Sequence, residues 1–378
     1  MYKSLLSSTL LILMFPLQSV YAKGASEHAE KLFKEAVSSD TVPGISVAVG
    51  SSDGTLWAKG FGYSNLESKV PMTKKTKLRI GSVSKVITAS ALMRLVEQGV
   101  IDLDAGVGQL VSVWPEKHPN ISLRQLTNHT SGIRHYKIPD EFLLNMQYNN
   151  TLEALDIFKD DPLHFTPGTD KRYSTYAWTL LSAAMEKSKG ESFKDIVYKE
   201  VFKPLNLKTS TFDDSAPIIP GRQGTYSYFG GVLVNSPEVN SSHKYAGGGI
   251  LSTPKDVVKF SLSHLSPGYL REESLSELFT KSRLSDGSEI NVGIGWFIGS
   301  EDFMAEYDSE EYEDLRRILL EHPNILSHSG LSIGSVSMLM LCPDHQRAIT
   351  VIKNVDLETS VDLTVLSLKT LDLFHRSE

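Results

Sequence analysis

Apolar residues recur at helical spacing at Ala29, Leu32, Phe33, Ala36 and Val37, behind a Ser26 able to cap a helix, and Asp40 to Gly44 break the run. Ile45 to Val49 alternates with period two, Asp53-Gly54 is a tight-turn pair, and Thr55 to Phe61 reads as the returning strand. Residues 83–98 are apolar over more than one face (Val83, Val86, Ile87, Ala91, Leu92, Leu95, Val96), which predicts a buried helix ending at Gly99. From Asp102 to about Ser282 the pattern predicts mostly helix, best over 152–158, 176–189, 192–202 and 254–265, broken by loops rich in Pro, Gly, Asn and Asp. Strand character returns over 292–297, 324–328, 336–342 and 348–352. Pro343-Asp344 turns the last two into a hairpin, and an amphipathic helix follows over 361–374. The acidic stretch Glu301 to Glu313 reads as a solvated loop or helix. This order predicts an α+β fold. One antiparallel sheet is built from both chain ends (about 25–80 and 288–378) and flanked by helices, with a mostly helical region (about 81–287) inserted between them.

Composition adds little to that outline. The chain has 378 residues, is 40% hydrophobic and 22% charged, and carries a formal charge of -7, so no basic surface for nucleic acid is indicated. The N-terminus changes the picture more. Lys3, an apolar run over 10–17, and small residues at Val20 and Ala22 have the layout of a secretory signal peptide over 1–22, which leaves 23–378 as a single extracytoplasmic domain. A mitochondrial transit peptide is the alternative, but it would want arginines, and residues 1–22 contain none. The run is too short for a membrane span, so no stable membrane insertion is expected once it is removed. Cys342 is the only cysteine; no intrachain disulfide can form, and it reads as a small buried hydrophobe. Asn120, Asn128, Asn149 and Asn240 each begin a glycosylation sequon, which matters if the source is eukaryotic.

The chemistry centres on Ser82-Val83-Ser84-Lys85, at the start of the buried helix. Ser82 and Lys85 share one face of a first helical turn, so a hydroxyl nucleophile and an amine base stand side by side. Ser-x-x-Lys alone occurs by chance in many chains and then marks only a helix start. Two further elements follow in order: Tyr173-Ser174-Thr175 after a Pro-Gly turn, and His328-Ser329-Gly330 on a strand before the final hairpin. Ala246 to Ile250 is a glycine run best read as close backbone packing. His129 and His135 lack metalloprotease spacing, and His129 reads as a structural hydrogen-bonding residue.

With these elements, together with Val42 to Ile45, Gly60 to Tyr63, Leu126 to Tyr136, Asp161 to Leu163, Pro167-Gly168 and Tyr245 to Thr253, the chain resembles the serine β-lactamase-like and penicillin-binding superfamily. It stands nearest the class C enzymes with their esterase and peptidase relatives, and among those nearest the animal mitochondrial serine β-lactamase-like proteases. The resemblance covers nearly all of residues 40–355. It implies the β-lactamase/transpeptidase-like fold, no cofactor and no metal. It implies that Ser82 is the acylated nucleophile and that Lys85 is its base, alone or with Tyr173. The main-chain N–H groups of Ser82 and Leu331 would form the oxyanion hole, and His328, Ser329 and Thr175 would bind substrate.

Two departures bear on substrate. Thr175 stands where the family has the asparagine of Tyr-x-Asn, and His328 where it has the lysine of Lys-Thr-Gly. A histidine near its reference pKa is mostly neutral at pH 7 and attracts a β-lactam carboxylate weakly. The expectation is therefore a peptidase or esterase acting on a peptide or small ester, with improved anion binding below about pH 6.5. A non-catalytic binding or scaffold protein is the competing reading, and a homo-oligomer is left open.

Overall fold

The structure, a computed structural model, describes residues 11–356 and 359–375. Its main sheet has seven strands: β1 (Gly44–Ser51), β2 (Gly54–Asn65), β3 (Val70–Pro71), β4 (Phe297–Ile298), β5 (Leu326–Ser332), β6 (Ser335–Cys342) and β7 (Arg347–Lys353). Their order is β4-β5-β6-β7-β1-β2-β3, antiparallel throughout. The two chain ends meet where β1 pairs with β7, from Ile45 opposite Lys353 to Ser51 opposite Arg347. The helices that matter here are α1 (Leu11–Ser38), α2 (Ser84–Glu97), α3 (Tyr176–Lys189), α4 (Pro254–Leu262), α5 (Glu313–Glu321) and α6 (Leu363–His375).

The alternation in β1 divides the core. Ile45, Val47 and Val49 face a layer formed by α1 and α6, where they meet Ala29, Phe33, Leu368 and Leu371. Ala48 faces the other way, into the larger core that holds Val257, Val258 and Phe260 of α4 and the buried face of α2. Covered on both faces, all of β1 and β7 is buried. Phe33 stacks on Phe61 with centroids 5.5 Å apart, tying α1 to β2.

Several expectations need correction. α1 runs through Ser26, which is therefore a helix-interior residue and not a cap. Residues 1–10 of the expected signal peptide lie outside the described residues, and 11–22 belong to the α1 backbone. Among the described residues no helix is long and apolar enough to cross a membrane. The 292–297 run is a strand only from Phe297. Val292, Ile294 and Trp296 are buried in irregular chain, which the left-handed Gly295 (φ +77°) helps to turn. Only Val292 pairs there, in an isolated antiparallel bridge to Phe297. The acidic stretch, read as a solvated loop or helix, does begin as helix, at Glu301–Glu306. Small sheets in and beside the inserted region add to the expected helices: Leu78–Arg79 and Thr211–Phe212 against Ile250–Ser252, Tyr226–Phe229 against Val232–Asn235, and Ser282–Arg283 against Glu289–Ile290. Strands of two to four residues are too short to show a period. Of the four sequons, Asn128 and Asn240 are buried, and Asn128 accepts from Thr130, while Asn120 and Asn149 are exposed.

Candidate active site

Ser82 is held by the strand that precedes it. Arg79 donates to Asp213 (2.7 Å) and to the Ile333 carbonyl (2.9 Å), fixing the short strand Leu78–Arg79 between the inserted region and the main sheet. The Ile80 carbonyl accepts from Ser337 Oγ at 2.8 Å, and the chain then turns at Gly81 (φ +50°) into one 3₁₀ turn, Gly81–Val83, that feeds α2. This places the turn directly against β5. A Cβ on Gly330 would stand 2.1 Å from the Ile80 carbonyl oxygen, and one on Gly81 would stand 2.7–2.8 Å from the Leu331 backbone. Both glycines are thus explained by close approach of two backbones. Ser84 is occupied elsewhere: it donates to the Gly81 carbonyl (2.7 Å) and accepts from Ile250 N–H (3.2 Å).

Lys85 lies in the first turn of α2, fully buried. Its Nζ is 3.1 Å from Ser82 Oγ, 3.1 Å from Thr175 Oγ1 and 2.6 Å from the Gly247 carbonyl oxygen. Burial, then the charge of Lys244, holds its pKa well below that of an ordinary lysine. The positive end of α2 acts in the same direction. Gly247 must be glycine to allow the contact, because a Cβ there would come 2.5 Å from Thr175 Cγ2. The glycine run is therefore close backbone packing, and it also supplies an acceptor to the amine.

The Tyr173-Ser174-Thr175 segment is set by two histidines. Ser174 N–H donates to His129 Nδ1 (3.3 Å), and Thr175 N–H donates to His135 Nδ1 (3.1 Å). Both rings must be neutral to accept, and burial ensures this: the pKa of His129 is well below 6.5 and that of His135 is lowered to about 4. Tyr173 packs on both rings, at 4.4 Å and 5.3 Å between centroids, and its ring lies 4.8 Å from Lys85 Nζ. Burial raises its pKa, opposed by hydrogen bonds to Ser82 and Thr175, so the phenol is protonated at neutral pH. Tyr176 turns away and donates to Glu141 at 2.9 Å.

On the facing strand, His328 is 1% exposed. Its Nδ1–H donates to the Ser329 carbonyl at 2.6 Å, which leaves Nε2 as a bare acceptor with no partner among the described residues. Burial, then the nearby Lys85, lowers its pKa to about 3. The expectation that His328 gains charge below about pH 6.5 is therefore corrected: in this environment it stays neutral until far lower pH.

Ser82, Tyr173, Thr175, His328, Ser329 and Leu331 line one pocket of about 300 Å³, and Lys85 lies beneath it. Sequence reasoning gave no site role to several lining residues, His135 and Lys244 among them. His135 was set aside for want of metal spacing. Lys244 gave no signal beyond its place just before the glycine run. The latter is buried, with Nζ 5.2 Å from the Phe142 ring centroid, and burial followed by the charge of Arg79 lowers its pKa to about 8. It is the only lining side chain that is positively charged at pH 7.

A seven-stranded antiparallel sheet flanked by helices, with a serine and a buried lysine one turn apart under its edge, defines the β-lactamase/transpeptidase-like class of serine hydrolase folds. The β-lactamase family model matches residues 29–366, and the chain belongs to that family. It is 28% identical to the human "Serine beta-lactamase-like protein LACTB, mitochondrial", over 80% of this chain and 69% of that protein's length. Among solved structures it is similar to EstCE1, described as a hydrolase with promiscuous acyltransferase activity, with a TM-score of 0.78 and 18% identity over 94% of this chain and all of the other. It is also similar to the D-amino acid amidase of Ochrobactrum anthropi, with a TM-score of 0.77 and 20% identity, covering 94% of this chain and all of the amidase.

Proposed function

We propose that this chain is a serine hydrolase that forms an acyl-enzyme at Ser82 and cleaves a peptide or ester, rather than efficiently hydrolysing β-lactams. The observation that carries this is the 3.1 Å approach of Lys85 Nζ to Ser82 Oγ, with the amine buried and its pKa depressed. Ser82 passes its proton to Lys85 as Oγ bonds to the substrate carbonyl carbon. The carbonyl oxygen takes up the charge between the N–H groups of Ser82 and Leu331, whose backbones the glycines at 81 and 330 allow to meet. The protonated Tyr173 hands its proton to the departing nitrogen or oxygen and is refilled from the Lys85 ammonium. Water then takes the place of the leaving group and frees the acid by the reverse proton route.

The pocket walls support the substrate class. His328 and Ser329 line the sheet edge, but His328 is an uncharged acceptor and so favours a substrate N–H or O–H over a carboxylate. Thr175 lines the pocket and also anchors Lys85. A panel of aryl esters, peptide amides and penicillins tests the reading: kcat/KM should be highest on esters or amides, and a penicillin preferred over both would overturn it.

The scaffold reading rests on the departures at Thr175 and His328. Absence of turnover across that panel by the folded protein would favour it. For location, the apolar N-terminal run supports export, while the mitochondrial relative supports the other destination. Fractionation of cells expressing the full chain separates them.

A further inference from the structure

At the end of the sheet away from Ser82, three segments bring a cysteine and three histidines together. His322 follows α5, Cys342 ends β6, His345 lies in the β6–β7 turn, and His375 ends α6. His322 Nδ1 is 3.0 Å from Cys342 Sγ, His345 Nδ1 is 3.2 Å from the same sulfur, and the two nitrogens are 3.1 Å apart. The His375 ring lies tilted beside His345, with centroids 3.6 Å apart, and 5.5 Å from that of His322. Cys342 is thus not merely a small apolar residue in a core.

We infer that His322, Cys342 and His345 bind a transition-metal ion of the zinc type. Tetrahedral zinc with bonds of about 2.0–2.1 Å to nitrogen and 2.3 Å to sulfur sets its ligand atoms roughly 3.3–3.5 Å apart. The observed triangle is only a few tenths of an ångström tighter. Three lone-pair atoms, two from the β6–β7 hairpin and one from the chain after α5, converge on one point, and hydrogen bonding alone would need protons shared between two facing ring nitrogens and a thiol. A single cation satisfies all three at once, and binding releases the thiol proton to solvent. A thiolate with imidazoles selects zinc-type ions over magnesium or calcium. His345 is half-buried and gives the ion a way in.

The site is a structural clamp, separate from the chemistry. Met338 is the residue opposite Ser329, and Cys342 is four residues further along β6, about 13 Å away. The ion would tie the β6–β7 hairpin to the chain after α5. The expectation of no metal made no use of these residues, which are spread over positions 322 to 345.

The test uses the full chain, stripped with a chelator and titrated with ZnCl2 or CoCl2. One ion per chain should bind, Zn2+ should raise Tm, and Co2+ should give a near-ultraviolet thiolate band. Cys342→Ser should remove the band, and His322→Gln should weaken Zn2+ binding by about 100-fold or more. His345→Gln, on the half-buried turn, provides a second readout should Cys342→Ser fold poorly. Failure of the folded wild type to bind Zn2+ at micromolar concentrations, or unchanged affinity in Cys342→Ser and His345→Gln, would overturn the assignment.

Discussion

Lys85 makes its shortest hydrogen bond, 2.6 Å, to the carbonyl of Gly247, and not to Ser82, which it meets at 3.1 Å. The carbonyl can only accept, so one N–H of the amine is committed to it. A second goes to Thr175 Oγ1 at 3.1 Å. A neutral amine has two N–H bonds and one lone pair, and the lone pair is then left facing the Ser82 hydroxyl. Thr175 and Gly247 thus orient the base as well as lining the pocket. Lys85→Arg, which keeps a donor but cannot lose its proton, should lower kcat by at least about 10³-fold with the fold intact by circular dichroism. Activity within tenfold of wild type would remove Lys85 from the base role.

The phenol of Tyr173 is protonated at neutral pH, and in the proposed mechanism it is the acid for the leaving group. Tyr173→Phe should lower kcat by about 10²–10⁴-fold with little change in KM. The loss should be smaller on esters with activated phenol leaving groups, which need no proton. An equal loss on activated esters and on amides would point to a packing role only.

The pH dependence follows from which groups are already neutral. The pKa of Lys85 is depressed, so its neutral form is lost as pH falls through that lowered value, and kcat/KM should decline on the acid side of it. The pKa of His328 is about 3, so its charge state does not change between pH 5 and pH 7.5, and it should contribute no change in KM over that range. A KM for anionic substrates that improves several-fold below pH 6.5, and does so only with His328 present, would contradict this.

Lys244 supplies the positive charge that His328 does not. With a pKa of about 8 it is charged at pH 7 and loses that charge as pH rises through 8, so affinity for anionic substrates should fall there. Lys244→Met should raise KM for a carboxylate-bearing substrate by about tenfold at pH 7 and leave neutral substrates unchanged. Equal effects on both would mean that Lys244 only packs against Tyr136 and Phe142.

Gly330 is a steric requirement. A Cβ there would come 2.1 Å from the Ile80 carbonyl, a backbone atom that cannot swing aside. Gly330→Ala should destabilise the protein by about 1–3 kcal/mol and lower kcat by moving Ser82 from Leu331. A variant with wild-type Tm and kcat would show that the two backbones separate freely.

What was legible in the sequence follows from chemistry with a local signature. The 3.6 period gave α3 at its observed limits and α2 nearly so, and the Asp53-Gly54 pair gave the β1–β2 hairpin. Ser82 and Lys85 stand together because one helical turn places them there, and the resemblance supplied Tyr173 and His328 on the other walls. Contacts across long sequence distances left no such trace. His135 accepts from Thr175 N–H forty residues away, and the Lys85 bond to Gly247 spans 162. The electrostatics of His328 were misjudged for the same reason, since its pKa depends on burial and on Lys85, neither of which is adjacent in the chain.

The most direct test is the intact mass of the protein after reaction with a fluorophosphonate probe, followed by peptide mapping. The account predicts one adduct per chain, located on Ser82, absent in Ser82→Ala and strongly slowed in Lys85→Ala, with both variants folded. An adduct on another residue, or equal labelling of wild type and Ser82→Ala, would contradict it.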